Sequence, residues 1–394
     1  MTAPGSVREV FAAFLRLGLT SFGGPVAHLG YFRDAFVVRR RWLTEEEYAD
    51  LVSLCQFLPG PASSQVGMAI GLQRAGGGGM LAAWAAFTLP SALALVAFGY
   101  AVTQLGDLSG AGWILGLKAA AVAVVAQAVI GMGRALTPDL RRLAIAVAAA
   151  GVVLWLPGAQ AQVAVIVGSG LLGLLVVREG HRPAVEAAPS GGSVARWVST
   201  AALTAFGALL AVAILAGTGD GVARLFTGFY RAGALVFGGG HVVLPLLESE
   251  TVGAGLLDHD TFLAGYGAAQ AVPGPLFTFA AFLGQTSHDG LPGPVGATVA
   301  LVAIFLPAAL LVAGTLPHWQ ALRSSARARR ALAGVNAGVV GLLAATLYDP
   351  VLRDGAPTLP TFALAATALG VLVAGRIPPW IVVVASAALG WLLL

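Results

Sequence analysis

The chain has 394 residues, 58% of them hydrophobic and only 10% charged, with a mean hydropathy of +0.85. Soluble domains carry about 25% charged residues, so the polar side chains needed to cover two or three soluble domains are missing. The net charge of +4 comes from arginines and a single lysine that cluster between apolar runs, so it reflects membrane topology and excludes a nucleic-acid-binding surface. One cysteine, Cys55, rules out an internal disulfide and a cysteine-based metal cluster.

In chain order, the stretch Met1 to Arg8 lacks the basic-then-apolar layout of a cleaved signal, so insertion is expected to rely on the mature segments. Two interrupted apolar segments come first, 7–34 and 48–75. Apolar runs long enough to span a bilayer follow at 80–103 and 113–133, and 142–177 reads as a tight helical hairpin divided at Pro157-Gly158. The only linker-like stretch lies within 178–196, before a span at 197–217. Two more interrupted segments, 222–247 and 260–286, precede runs at 294–316, 330–348, 359–374 and 377–394.

The second part of the chain repeats the first. Phe11, Phe14, Arg16, Gly18, Phe22, Gly23 and Gly24 recur at an offset of 215 as Phe226, Phe229, Arg231, Gly233, Phe237, Gly238 and Gly239. One residue out of step, Gln56-x-x-Pro59-Gly60-Pro61 recurs as Gln270-x-x-Pro273-Gly274-Pro275; Pro90 aligns with Pro307 and Lys118 with Asn336. Low-complexity Ala/Gly/Val similarity does not explain matches in Phe, Arg, Gln and Pro. The expected organisation is an N-terminal repeat (1–178), a cytoplasmic linker (179–196), a connecting transmembrane helix (197–217) and a C-terminal repeat (222–394).

Each half thus opens with two segments broken in the middle, at Phe22-Gly23-Gly24-Pro25, Pro59-Gly60-Pro61, Phe237-Gly238-Gly239-Gly240 and Pro273-Gly274-Pro275. Proline removes a helix donor and glycines unwind easily. Non-helical backbone at membrane depth survives only inside protein or along a polar cavity, so the breaks are expected to be re-entrant hairpins or broken helices meeting near the midplane. With re-entry and a cytoplasmic N-terminus, 17 arginines lie inside and only Arg224 and Arg353 outside; full crossing moves Arg33 and Arg39 to Arg41 outward. The positive-inside rule favours re-entry, with full crossing still open. In both cases four ordinary helices follow each broken pair. The odd span between the halves inverts the second repeat and leaves the C-terminus extracytoplasmic. The expected fold is therefore an all-α polytopic membrane protein with two inverted-topology repeats, an architecture of secondary transporters.

The candidate binding residues are mostly cationic or backbone groups. Arg16 and Arg231 occupy equivalent positions, and two forked donors suit a tetrahedral oxyanion, although snorkelling to the interface explains each equally well. Lys118, the only lysine, reads first as a snorkelling helix-end residue and second as an anion contact, alongside its repeat partner Asn336, or as a desolvated lysine that exchanges protons. Half-helices starting after Pro61 and Pro275 offer unpaired N–H groups and a positive dipole end. Ser63, Ser64, Gln65 and Thr278 add neutral donors there, with Gln56 and Gln270 before the breaks. These polar groups can equally satisfy freed backbone carbonyls.

His28 and His241, just beyond the glycine-rich breaks, are candidate proton relays, though a packing role is the commoner fate of such histidines. Among the acidic residues, which are mostly expected in solvated loops, Glu248 is the candidate proton-coupling carboxylate. No pair of histidines has metal-ligand spacing with a carboxylate, and no Walker motif, nucleophile elbow or intramembrane aspartate pair is present. No metal, cofactor or enzymatic activity is expected.

At the breaks the sequence resembles the chromate ion transporter family of bacteria and archaea, in its long two-repeat form. The resemblance rests on Phe22-Gly23-Gly24-Pro25 with Ala27-His28-Leu29, Gln56-Phe57-Leu58-Pro59-Gly60-Pro61, Phe237-Gly238-Gly239-Gly240-His241 with Pro245, and Gln270-Ala271-Val272-Pro273-Gly274-Pro275. The exchange of Pro25 for Gly240 marks the halves as unequal. The resemblance implies chromate efflux across the cytoplasmic (inner) membrane and chromate resistance, with sulfate, of the same shape and charge, as the alternative anion. An anion channel is the competing class. A homodimer is the expected assembly only by analogy with other transporters.

Overall fold

A computed structural model describes residues 5–104, 111–156, 158–177, 195–215, 221–237, 242–288, 291, 293–319, 325–375 and 377–394. Most of the 179–196 linker, and Gly238, Gly239 and His241, lie outside the described residues. Among the described residues all regular structure is helical.

The first half begins with α1 (Val7–Thr20), capped by Ser6, and α2 (Gly24–Arg33), whose N-cap Gly23 has φ 102°, a left-handed value that glycine tolerates. Phe14 of α1 packs on Phe32 and Phe36 at 5.5 and 4.8 Å, which folds the pair back on itself. The helix α3 (Glu45–Phe57) opens with the capping box Thr44–Glu47 that the sequence encodes. Next comes α4 (Ala62–Gln104), which turns back on itself at Ala75-Gly76, where Gly76 has φ +64°. Its two arms touch closely: a Cβ on Gly71 would lie 2.3 Å from the Gly79 carbonyl oxygen.

The broken segments are re-entrant. The Gly5 amide donates to the Arg74 carbonyl at 3.0 Å, and the Arg74 guanidinium sits 5.0 Å from the Trp42 ring and 3.3 Å from Glu9. The chain therefore returns after each of the first two segments to the side where it began. Arginine placement had favoured this arrangement; through-space contacts between residues 5, 42 and 74 establish it.

The remaining helices of this half are α5 (Gly112–Leu136), α6 (Leu140–Trp155) and α7 (Ala159–Val176), followed by the separate α8 (Arg196–Leu215). The second half repeats the order with α9 (Gly221–Ala234), α10 (Val243–Thr251), α11 (His259–Ala271), a 3-10 turn at Leu276–Thr278, α12 (Phe279–Thr286) and α13 (Gly293–Thr315). It ends with α14 (Ala326–Thr346), α15 (Leu359–Val373) and α16 (Pro379–Leu393). Among the described residues, six helices are long and apolar enough to cross a bilayer: α4, α5, α7, α8 and the helical stretches Gly293–His318 and Ala326–Gly355. The shorter α6, α15 and α16 have 16, 15 and 15 residues.

In the second half, Arg224 donates to the Ala254 carbonyl and the His288 amide to the Leu256 carbonyl, at 2.9 Å, so its segments also return to one side. The second arm of α4 connects the two mouths. A Cβ on Gly78 would meet Val7 at 3.1 Å, and one on Gly99 would meet Gln285 at 3.2 Å. The intervening helix covers about 32 Å at 1.5 Å per residue, close to the hydrocarbon thickness of a bilayer.

The halves exchange partners. A Cβ on Gly116 of α5 would lie 2.1 Å from the Ser386 carbonyl of α16, and one on Gly334 of α14 would lie 2.1 Å from the Ser169 carbonyl of α7. Each half thus packs its central helix on the terminal hairpin of the other, through glycines that let backbones approach where lipid supplies no hydrophobic driving force. We predict that Gly116→Leu and Gly334→Leu each cost roughly 3 kcal/mol or more by overpacking. Gly370→Leu, with nothing within 4 Å of its Cβ, leaves the melting temperature in detergent unchanged.

Candidate functional site

Two matched hydrogen bonds join the broken segments of one half to those of the other. The Gly60 amide donates to the Val236 carbonyl at 2.7 Å, and the Gly274 amide donates to the Ser21 carbonyl at 2.9 Å. Each bond joins a Pro-Gly-Pro break of one half to the residue just before the glycine-rich break of the other. Both glycines have positive φ, 120° and 100°. A Cβ on Gly60 would meet Ala308, beside Pro307, at 3.4 Å, and a Cβ on Gly274 would meet Ser91, beside Pro90, at 2.8 Å. The repeated motifs thus form one junction between the halves.

Helix starts surround this junction. After Pro61 the first intrahelical bond is Gln65 N–H to Pro61 O at 2.9 Å, which leaves the amides of Ala62, Ser63 and Ser64 without partners in the helix. At α2, Gly23 offers no side-chain cap, so the Gly24 amide is uncapped too, while Pro25 has no N–H to offer. Thr278 is fully buried and donates its hydroxyl to the Pro275 carbonyl at 2.7 Å. Pro59 gives its carbonyl to Gln65 Nε2 at 2.7 Å.

Buried polar atoms collect here without partners. Ser21 Oγ, Ser64 Oγ, Gln65 Oε1, Thr88 Oγ1 and Gln270 Nε2 have no hydrogen-bond partner among the described residues. Such groups are costly unless water or a ligand completes them. His28, 1% exposed, places Nε2 3.2 Å from the Ser21 carbonyl and Nδ1 3.3 Å from Ser63 Oγ. A carbonyl can only accept, so Nε2 carries the proton of the neutral ring and Nδ1 accepts from the Ser63 hydroxyl. Of the residues near the breaks, Ser21 and Thr88 escaped the sequence reading because an isolated hydroxyl in an apolar run carries no pattern.

The charged candidates sit elsewhere. Arg16 is exposed on α1, and its side chain makes no hydrogen bond or ion pair among the described residues. Arg231 is bidentate on Glu250, with Nε to Oε1 at 2.6 Å, and also donates to the Ala213 carbonyl. Lys118, with 4% of its side chain exposed, lies 2.6 Å from Asp260 of α11, tying α5 to the other half. Its repeat partner Asn336 is half-buried with an unpartnered Oδ1. Gln56 is exposed, and Pro273 is half-buried at the end of α11. The structure gathers the neutral candidates at the breaks and does not bring the two arginines together.

Glu248 lies outside the membrane-spanning helices, at the same end as Lys118 and Asp260. Burial, then the Asp349 and Asp354 carboxylates, push its carboxyl up from 4.5 to about 7. Asp354 stands 3.7 Å from His259 and Asp349 3.9 Å from Arg353. No group of residues suited to holding a metal ion occurs among the described residues.

An all-α bundle that carries re-entrant hairpins from two repeats to one polar junction defines a polytopic membrane protein of transporter type. The chromate transporter family model matches residues 8–174 and 223–391, and the chain belongs to that family. It is 30% identical to a chromate transport protein of Pseudomonas aeruginosa, over 99% of this chain and 93% of that one. A probable chromate transport protein of Synechococcus elongatus is 29% identical, with 92% and 89% covered. An uncharacterized transporter of Methanocaldococcus jannaschii is 25% identical, with 89% and 86% covered. No solved structure matches the chain.

Two consequences are measurable. Asp260→Asn strands a buried ammonium and costs about 3 kcal/mol, the low end for a broken buried pair because the Asp260 side chain is 40% exposed. Adding Lys118→Met recovers most of that loss, as melting curves of the single and double variants show. Glu248, with its pKa raised in the folded state, contributes stability that is full below pH 4.5 and is lost as pH rises through about 7. The melting temperature of the protein relative to Glu248→Gln therefore falls across that window and levels off above it.

Proposed function

We propose that this protein exports chromate across the cytoplasmic membrane, and that the junction of the four breaks is where the anion binds. The observation that carries the reading is the matched pair of bonds, Gly60 to Val236 and Gly274 to Ser21, which places helix starts and unpartnered hydroxyl and amide groups around one point. Family membership and the chromate transport proteins among its relatives supply the substrate. A dianion such as chromate or sulfate would be held by backbone amides and by Ser63, Ser64, Gln65 and Gln270, with Gly23 and Gly24 letting the backbone approach and Thr278, whose hydroxyl is bonded to the Pro275 carbonyl, fixing the second break. Neutral donors suit a transporter because a site must release its ion as readily as it takes it.

The halves are read as inserted in opposite orientations, 1–178 against 222–394. The two mouths at opposite ends of the long arm of α4 support this, and one half then rocks against the other to alternate access. With the N-terminus cytoplasmic, a dianion leaving a negative-inside cell gains about 4.6 kcal/mol per 100 mV, which favours efflux and hence resistance. Proton coupling fits the geometry at His28. Protonating Nδ1 makes it a donor, turns the Ser63 hydroxyl away from the ring, and frees that hydroxyl to donate to an arriving anion.

Chromate uptake into inverted vesicles, with sulfate as competitor and imposed pH or voltage gradients, tests the reading. Gln65→Glu places a carboxylate at the junction and lowers flux at least tenfold, whereas Gln56→Glu and Arg16→Gln, at exposed positions, leave it near wild type. Equal flux in Gln65→Glu and the parent protein removes the junction as the binding site.

A further inference from the structure

A cavity of about 550 Å³ opens between α7, α8, α9 and α10, away from the junction of the breaks. Arg224 and Arg231 line it from α9, two helical turns apart, with Glu250, Ser249, Gln160 and Ala159 opposite. Arg231 is neutralised by Glu250 at 2.6 Å, while Arg224 is bonded to the Ala254 carbonyl. Among the described residues of the lining, two guanidinium groups thus face one carboxylate. A net positive charge in a half-buried space is expensive unless an anion completes it.

Four further features point the same way. The 18-residue α7 begins at the cavity wall with no side-chain cap on its first amides, so its positive dipole end faces the same space. Gln162 of α7 donates to the Pro245 carbonyl of α10 at 3.1 Å, which holds that helix start against α10. Ser249, 9% exposed, has a hydroxyl oxygen without a partner among the described residues. Among the described residues, Arg231 keeps N–H groups beyond those bound to Glu250 and Ala213, and Arg224 has one donor engaged.

We infer that this cavity is a second anion site, for a tetrahedral oxyanion contacted by Arg224, the outer N–H groups of Arg231 and the first amides of α7. That chemistry is shared by a free dianion and by the phosphate of a lipid headgroup. The free-dianion form rests on the transport reading above, with the cavity then acting as an anteroom: its Arg231 lies five residues before Val236 in the chain.

Equilibrium binding of radiolabelled chromate to the purified full chain in nanodiscs, together with phosphorus analysis of retained lipid, separates the cases. For a free dianion, the parent protein binds two chromates per chain and Arg224→Gln binds one. Arg224→Lys keeps two, with affinity at the second site roughly tenfold weaker through loss of the forked contact. For a lipid phosphate, Arg224→Gln leaves chromate binding unchanged and loses tightly held phospholipid in nanodiscs containing phosphatidylglycerol. Gln65→Glu removes the junction's chromate only, so loss in Arg224→Gln without loss in Gln65→Glu would sink the junction and keep the cavity. Unchanged chromate stoichiometry and unchanged retained phosphorus in Arg224→Gln would overturn the inference.

Discussion

A backbone that stops being helical inside a bilayer must find partners for its freed amides and carbonyls, because hydrocarbon offers none. Here the solution is reciprocal. Gly60 and Gly274 each give an N–H to the other half, and Val236 and Ser21 take them. The bonds are possible only because both donors are glycines at positive φ, where a side chain would strain the backbone and meet Gln65 or Ser91. Around this exchange lie the starts of α2 and α4, the buried His28, and the hydroxyls of Ser63, Ser64 and Thr278.

The same exchange extends through the outer helices. Gly116 against Ser386 and Gly334 against Ser169 are two versions of one contact, made by equivalent residues of the two halves. Neither half completes its own packing, since α5 rests on α16 and α14 on α7. The Lys118–Asp260 pair adds a charged tie across the same boundary and has no charged counterpart at Asn336. The halves are therefore alike in backbone and unlike in charge. One end of the molecule gathers Glu248, Asp260, Asp349 and Asp354, and the other gathers Arg74, Glu9 and Trp42.

Charge placement also bears on how an anion could be handled. Arginines that look symmetric in the sequence have different fates: Arg16 is exposed, and Arg231 is clamped by Glu250. The difference comes from a residue nineteen positions after Arg231, brought back by the re-entrant turn. A side chain's partner across such a turn depends on the turn's geometry, which repeat alignment alone does not convey. The neutral groups at the breaks behave differently, because their positions follow from the backbone motif itself.

Composition, the offset repeat and the four Gly/Pro interruptions by themselves determined an all-helical membrane protein, the order of its spans, and which short segments would leave the helix. These are local properties, set by hydropathy over about 20 residues and by the backbone limits of glycine and proline. Tertiary structure alone decided that the segments re-enter, that each break bonds to the opposite half, and that Lys118 and Arg231 are consumed in ion pairs. Those outcomes depend on contacts between residues more than a hundred positions apart, or folded back across a hairpin, and no local pattern encodes which distant carbonyl or carboxylate arrives.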